Sequence, residues 1–261
     1  RELGAREVWL YDSGAALGLA ETIAARNGIE GLHFVQAHSL EVVDPPQVDV
    51  AVAEVLGNFA YEEGVIETLR DAWRFVAPGG TLIPHSLVQW AAPVVSDRFD
   101  RELGSWRSAG CGLDLGDAER MTRNNMYVFA IEPADLSAGV PPLAWDSATF
   151  TPDVESRRAG RVAFRTAAET LYGFAVWWDC TLVPGVVLST SPYSQRTHWD
   201  QIYLPLLAPL ETLAGDEISL EIASETGGDE AGIAVRWTVQ HRRGGALLSR
   251  QELDIGAGLL E

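Results

Sequence analysis

A chain of 261 residues with 47% hydrophobic content is long enough for one large domain or two smaller ones with buried cores, which excludes a disordered polymer. Its formal charge of −18, from 37 acidic against 19 basic residues, argues against general attraction to nucleic-acid phosphates and favours cationic partners, plain solubility being the blander account. Cys111 and Cys180 are the only thiols and have no metal-ligand spacing, so no metal is expected and a reducing cytoplasm is.

No run of about 18 apolar residues and no signal-peptide pattern appears, so no membrane span is expected. The chain opens on Arg1 rather than Met, which leads us to expect an upstream segment. Residues 8–11 (Val-Trp-Leu-Tyr) are a short apolar strand ending at Asp12. The Ala/Leu-rich run from Ala15 to Arg26 suits a helix, closed by Asn27-Gly28. His33 to Ala37 gives a second strand, and Val48 to Ala53 a third, apolar as a central parallel strand covered on both faces should be. Residues 64–77 read as another helix, ended by Ala77-Pro78-Gly79-Gly80 before the short strand Thr81-Leu82-Ile83. This alternation predicts an α/β domain over 1–85, the second part of a doubly wound, Rossmann-like sheet.

After Pro84 the pattern changes. β-branched and aromatic runs recur between turn signals, including 172–183, 216–223 and 231–240, which predicts an antiparallel β-domain over 86–261. Residues 96–125 interrupt it with a polar stretch rich in Arg, Asp and Gly, read as an arm or a helical insertion.

A carboxylate at the end of a strand in a nucleotide-binding sheet accepts both hydroxyls of a ribose, and Asp12 stands in such a place. The competing account is an ordinary turn-forming acid. The segment 48–63, VDVAVAEVLGNFAYEE, is more informative. It delivers Glu54 to the end of a strand and returns Glu63 nine residues later. Two such carboxylates each take two N–H groups of a planar guanidinium, and Gly57 lets the backbone turn between them. An acidic surface loop is the plainer alternative.

The stretch AEVLGNFAYEE resembles the double-glutamate loop of protein arginine methyltransferases, and 189–199 (STSPYSQRTHW) resembles the threonine-histidine-tryptophan loop of the same family. Arg6-Glu7-Val8 through Asp12 resembles the strand to the ribose-binding acid, 76–84 (VAPGGTLIP) the turn closing the cofactor domain, and 172–182 a strand before the histidine loop. Residues 112–136 resemble the stretch that holds the dimerisation arm. Nearly the whole chain is covered.

The resemblance implies a methyltransferase domain followed by a β-barrel-like domain, a homodimer, and transfer of methyl from S-adenosylmethionine to an arginine-containing protein or peptide, leaving S-adenosylhomocysteine. It implies that Asp12, Ser13, His38, Ser39 and Glu54 hold the cofactor. Glu54, Glu63 and His198 would be catalytic, and with Trp199 they would form the arginine pocket. The adenine partner falls near Ser39, Leu40 or Glu41. Trp177 and Trp178 are expected to serve the β-domain, facing opposite ways. Outside the matched loop, His198 would read as a hydrogen-bonded loop histidine.

The glycine-rich turn for the methionine end of the cofactor would lie before Arg1, as would the helices that cover it. Val65, two residues past Glu63, matches neither dimethylating class, so the product type stays open. Two other functions remain: a non-catalytic or split scaffold, and a methyltransferase acting on a small molecule or peptide natural product.

Overall fold

The computed structural model of the protein describes residues 4–109, 112–226 and 232–258. Arg1, Cys111 and the first residue of the expected strand 231–240 lie outside them. Strand β1 (Val8–Tyr11) leads into helix α1 (Ala16–Arg26) and returns as β2 (Leu32–Val35), paired parallel with β1 from Val8↔Leu32 to Tyr11↔Val35. Gly28 closes α1 at φ +62, a left-handed turn for which glycine carries no Cβ penalty. The expected strand from His33 therefore begins one residue earlier and stops before Ala37.

Strand β3 (Val48–Val52) pairs parallel with β4 (Val76–Ile83). β4 is longer than the Thr81–Ile83 strand expected, because pairing continues past Pro78-Gly79-Gly80, where Gly79 takes φ +83 and the irregularity is absorbed as a register shift against β3. Between these strands, α2 (Val65–Ala72) buries Val65, Ile66, Leu69 and Ala72, a spacing that places them on one helical face. A 3-10 turn over Trp73–Phe75 follows, and the Trp73 indole donates to the Phe150 carbonyl at 2.8 Å, fastening the helix to the antiparallel half.

The order within the two parallel pairs is β2-β1 and β3-β4, and β1 and β3 line one cavity between the pairs. The coverage expected for Val48–Ala53 is not found: Val50 is 51% and Val52 69% exposed. Val50 and Val52 share the face of β3 that borders the cavity, while Ala51 and Ala53 on the opposite face pack against the core.

The antiparallel half begins with β5 (Ser86–Val94) and includes two helices, α3 (Arg98–Leu103) and α4 (Gly116–Arg123). Its remaining strands are β6 (Tyr127–Phe129), β7 (Leu143–Thr149), β8 (Arg157–Arg165), β9 (Thr170–Val183), β10 (Val186–Ser189), β11 (Gln201–Glu211), β12 (Glu217–Glu225), β13 (Ala234–Arg243) and β14 (Ala246–Asp254). One sheet runs β6-β11-β9-β5-β7 with β10 added to β9; the other runs β14-β13-β12-β8. They remain two sheets, unclosed among the described residues, where a barrel-like domain was expected.

Both sheets feed one core with α2, in which Trp178, Phe174, Phe164 and Trp237 are the bulky members. A second cluster on the other face of β9 joins Trp177 to Phe99 and Tyr203. Adjacent strand residues point to opposite faces, so Trp177 and Trp178 split between the clusters as alternation predicts. The 96–125 stretch folds back as the two short helices, held by Arg123, which is 1% exposed. Its guanidinium donates to Asp100 at 2.6 Å, to Glu119 at 2.9 Å and to the Leu206 carbonyl at 3.3 Å. Buried charge is tolerated when paired and hydrogen-bonded in this way.

Candidate functional site

In an open α/β sheet, ligands bind beyond the carboxyl ends of the strands where the strand order reverses. Here β1 and β3 belong to two separate parallel pairs and border one cavity. A cavity of about 1310 Å³ runs along both strands, and toward their carboxyl ends its lining includes Asp12 and Ser13 after β1, His38 and Ser39 after β2, and Glu54 after β3. Residues up to 42 positions apart in sequence thus share one space, all five of the positions read as cofactor-binding.

Local geometry accounts for each placement. Asp12 Oδ1 accepts the Gly14 backbone N–H at 2.6 Å, which fixes the carboxylate at the mouth of the β1–α1 turn. His38 caps the 3-10 turn Ser39–Glu41, its Nδ1 accepting from the Leu40 N–H at 3.2 Å. Arg74 reaches across to donate to the Ser39 and Val42 carbonyls, at 3.3 and 2.8 Å, so this turn is anchored to the end of the α2 segment. Glu54 follows Ala53, whose N–H continues the β3–β4 ladder to the Ile83 carbonyl. Its side chain is exposed to the cavity.

Glu63, His198 and Trp199 do not line that cavity. Glu63 is exposed and sits in the left-handed region at φ +60, followed by Gly64 at φ +68. His198 is exposed and lies over Trp199, ring centroids 3.7 Å apart. Trp199 is partly buried against the core, and its indole N–H donates to the Leu56 carbonyl at 2.7 Å. One residue on, the Asp200 N–H donates to Asn58 Oδ1 at 2.9 Å. The loop that joins Glu54 to Glu63 and the loop that carries His198 are thereby tied together across more than 140 positions of sequence.

Sequence reasoning missed several residues of this arrangement. Trp178, assigned only to the β-domain, also donates its indole N–H to the Gly57 carbonyl at 3.1 Å from a fully buried position. Glu62 turns inward and accepts the Phe59 N–H at 3.0 Å. A Cβ on Gly57 would lie 2.4 Å from Glu62, so glycine is required here by the inward carboxylate, a reason more specific than turning freedom. Tyr61, fully buried, donates to Asp146 at 2.6 Å. Among the described residues no cluster of His, Cys, Asp and Glu is arranged to hold a metal ion.

Burial and a neighbouring carboxylate govern protonation beneath the loop. Burial, then the charge of Asp146, hold the Tyr61 hydroxyl far above its ordinary range, so it remains a donor at any accessible pH.

Residues 89–241 match the family described as the arginine methyltransferase oligomerization subdomain. Protein arginine N-methyltransferase 6 of Xenopus tropicalis is 29% identical over 244 residues, which cover 87% of this chain and 68% of that protein. Protein arginine N-methyltransferase PRMT10 of Arabidopsis thaliana is 24% identical over 256 residues, covering 84% of this chain and 66% of that protein. Among solved structures, the Trypanosoma brucei PRMT1 enzyme–prozyme heterotetrameric complex with AdoHcy superposes with a TM-score of 0.85 at 20% identity, over 97% of this chain and 83% of that one. The open conformation of Arabidopsis thaliana protein arginine methyltransferase 10 gives 0.79 at 18% identity, over 97% and 84%. These two likenesses establish the fold.

Proposed function

The chain belongs to the protein arginine methyltransferase family, and we propose that it transfers methyl from S-adenosylmethionine to a guanidinium nitrogen of an arginine-containing protein or peptide. The observation that carries this reading is that Asp12 and Glu54, each just past the carboxyl end of its strand, line one cavity, with the loop beyond Glu54 fastened to the His198 loop.

The residues present fit the cofactor. Asp12, held by the Gly14 N–H, offers a carboxylate for ribose hydroxyls, and Ser13, His38, Ser39 and Glu54 supply further polar groups around the same space. S-adenosylmethionine supplies an electrophilic methyl group when bound. The protein's part is alignment: Glu54 and Glu63 bind the guanidinium through paired, charge-assisted hydrogen bonds. Positive charge then concentrates on the nitrogens that they hold, leaving electron density on the one that reacts. His198 accepts the departing proton, and Trp199 positions the loop that carries it. The oligomerization subdomain supports assembly, which we take to be a homodimer formed through the 96–125 stretch, in the cytoplasm.

Calorimetric titration with S-adenosylmethionine, followed by mass spectrometry of an Arg-Gly-rich peptide incubated with protein and cofactor, tests the assignment. Binding together with a methylated arginine is the expected result. Glu54→Gln should abolish turnover and largely spare cofactor affinity; full activity in that variant would remove Glu54 from the mechanism.

A further inference from the structure

The loop from Glu54 to Glu63 is pinned at both ends, by different parts of the antiparallel half. Near Glu54, the Leu56 and Gly57 carbonyls accept from Trp199 and Trp178. Near Glu63 the anchor is a buried polar chain. The Tyr61 hydroxyl donates to Asp146 Oδ2 on β7 at 2.6 Å. Asp146 is in turn gripped by Arg158 on β8, Nε to Oδ2 at 3.0 Å and Nη2 to Oδ1 at 2.7 Å, and Arg158 also donates to the Ser147 carbonyl at 2.6 Å. The Asp146 side chain is 7% exposed and Tyr61 fully buried, so both operate where hydrogen bonds are strong and an unmade one is costly.

This anchor sits among backbone that needs one. Ala60, just before Tyr61, has φ +70, and Glu63, two residues after it, has φ +60. Non-glycine residues are strained there and persist only where their surroundings over-determine them. Deeply buried on one side of Glu63 and fixed to two strands, Tyr61 is the side chain placed to enforce the left-handed turn that presents that glutamate.

We propose that Tyr61, backed by the Asp146–Arg158 pair, is a positioning residue for Glu63 and so sets affinity for the guanidinium substrate without touching it. The proposal rests on the arginine methyltransferase reading for what Glu63 binds. Tyr61→Phe removes one hydroxyl, keeps the ring in the core and leaves Asp146 paired with Arg158, so the fold survives. Calorimetry should show the dissociation constant of an Arg-Gly-rich peptide rising about tenfold, the equivalent of one hydrogen bond to a charged group. The dissociation constant of S-adenosylmethionine should stay within about twofold, because the cofactor side of the site is held by other contacts.

A double-mutant cycle separates positioning from a general loss of integrity. In a Glu63→Gln background, Tyr61→Phe should have almost no further effect on peptide affinity, since the group that it positions is already disabled. An undiminished tenfold effect in that background, or unchanged peptide affinity in Tyr61→Phe alone, overturns the proposal. Should Tyr61→Phe not fold, Asp146→Asn interrupts the same chain from its other end and is held to the same outcomes. If the parent protein binds no arginyl peptide, the functional reading fails, and hydrogen exchange decides the structural claim separately. Amides of residues 54–64 must then speed up in Tyr61→Phe by a larger factor than the slowest amides of β9, and equal factors reject the anchor.

Discussion

Strand β1 is half-buried at all four of its positions, whereas β9 carries six fully buried residues in succession from Gly173 to Trp178. The same contrast runs through the two halves of the chain. Before Leu56 only Leu17 and Ala24 are buried hydrophobic residues among those described, while the core that follows gathers both antiparallel sheets and α2. Candidate cofactor contacts therefore stand on the lightly packed half, and the loop bearing Glu54 and Glu63 is braced by the densely packed one. Regions of low local stability are where ligand-dependent ordering is available; regions of high stability are where geometry can be held fixed.

The sharpest way to break this contrast is Trp237→Ala. Trp237 is 1% exposed and donates its indole N–H to the Pro205 carbonyl at 3.1 Å, so truncation should cost about 3–5 kcal/mol in denaturant unfolding. A loss below about 1 kcal/mol would mean that the antiparallel core is not where the stability lies.

A second measurement uses acid. Asp216, at the turn before β12, accepts from Arg243 at 2.7 Å and contacts His241 at 2.8 Å. The Arg243 hydrogen bond, joined by the Leu213 N–H and His241, holds the carboxyl well below its ordinary value. A group lowered in this way stabilises the fold fully above its unfolded value of 3.8, and its contribution is lost as pH falls beneath that value toward the folded one. Asp216→Asn should lower the urea midpoint at about pH 7 and flatten the decline toward about pH 3; parallel curves for parent and variant would exclude the role.

The smallest effect belongs to Val52→Ser. At 69% exposure, in a strand with no fully buried position, the substitution should stay within about 0.5 kcal/mol of the parent. A larger loss would show that the face of β3 is covered in solution and that the contrast between the halves is overstated.

Much of this arrangement was readable from sequence where the determinants are local. The helix face of α2 follows from apolar spacing, β1 and β3 from short apolar runs, and the Glu54–Glu63 pair from strand-end placement and a resemblance. What escaped were interactions whose partners lie far apart. The Trp178 bond to Gly57 spans 121 positions and the Tyr61 bond to Asp146 spans 85, so neither leaves a periodic trace. Local rules misjudged β3 for the opposite reason: an apolar run reports what a strand can bury, while its actual coverage depends on which neighbours it finds.

The bonds from Trp199 to Leu56 and from Asp200 to Asn58 make two chain segments into one mechanical plate. Neither edge can swing outward alone without stranding an indole N–H or a backbone amide. Traffic of substrate past His198 must accordingly be felt at Asn58, and a spectroscopic label near either position would record events at both.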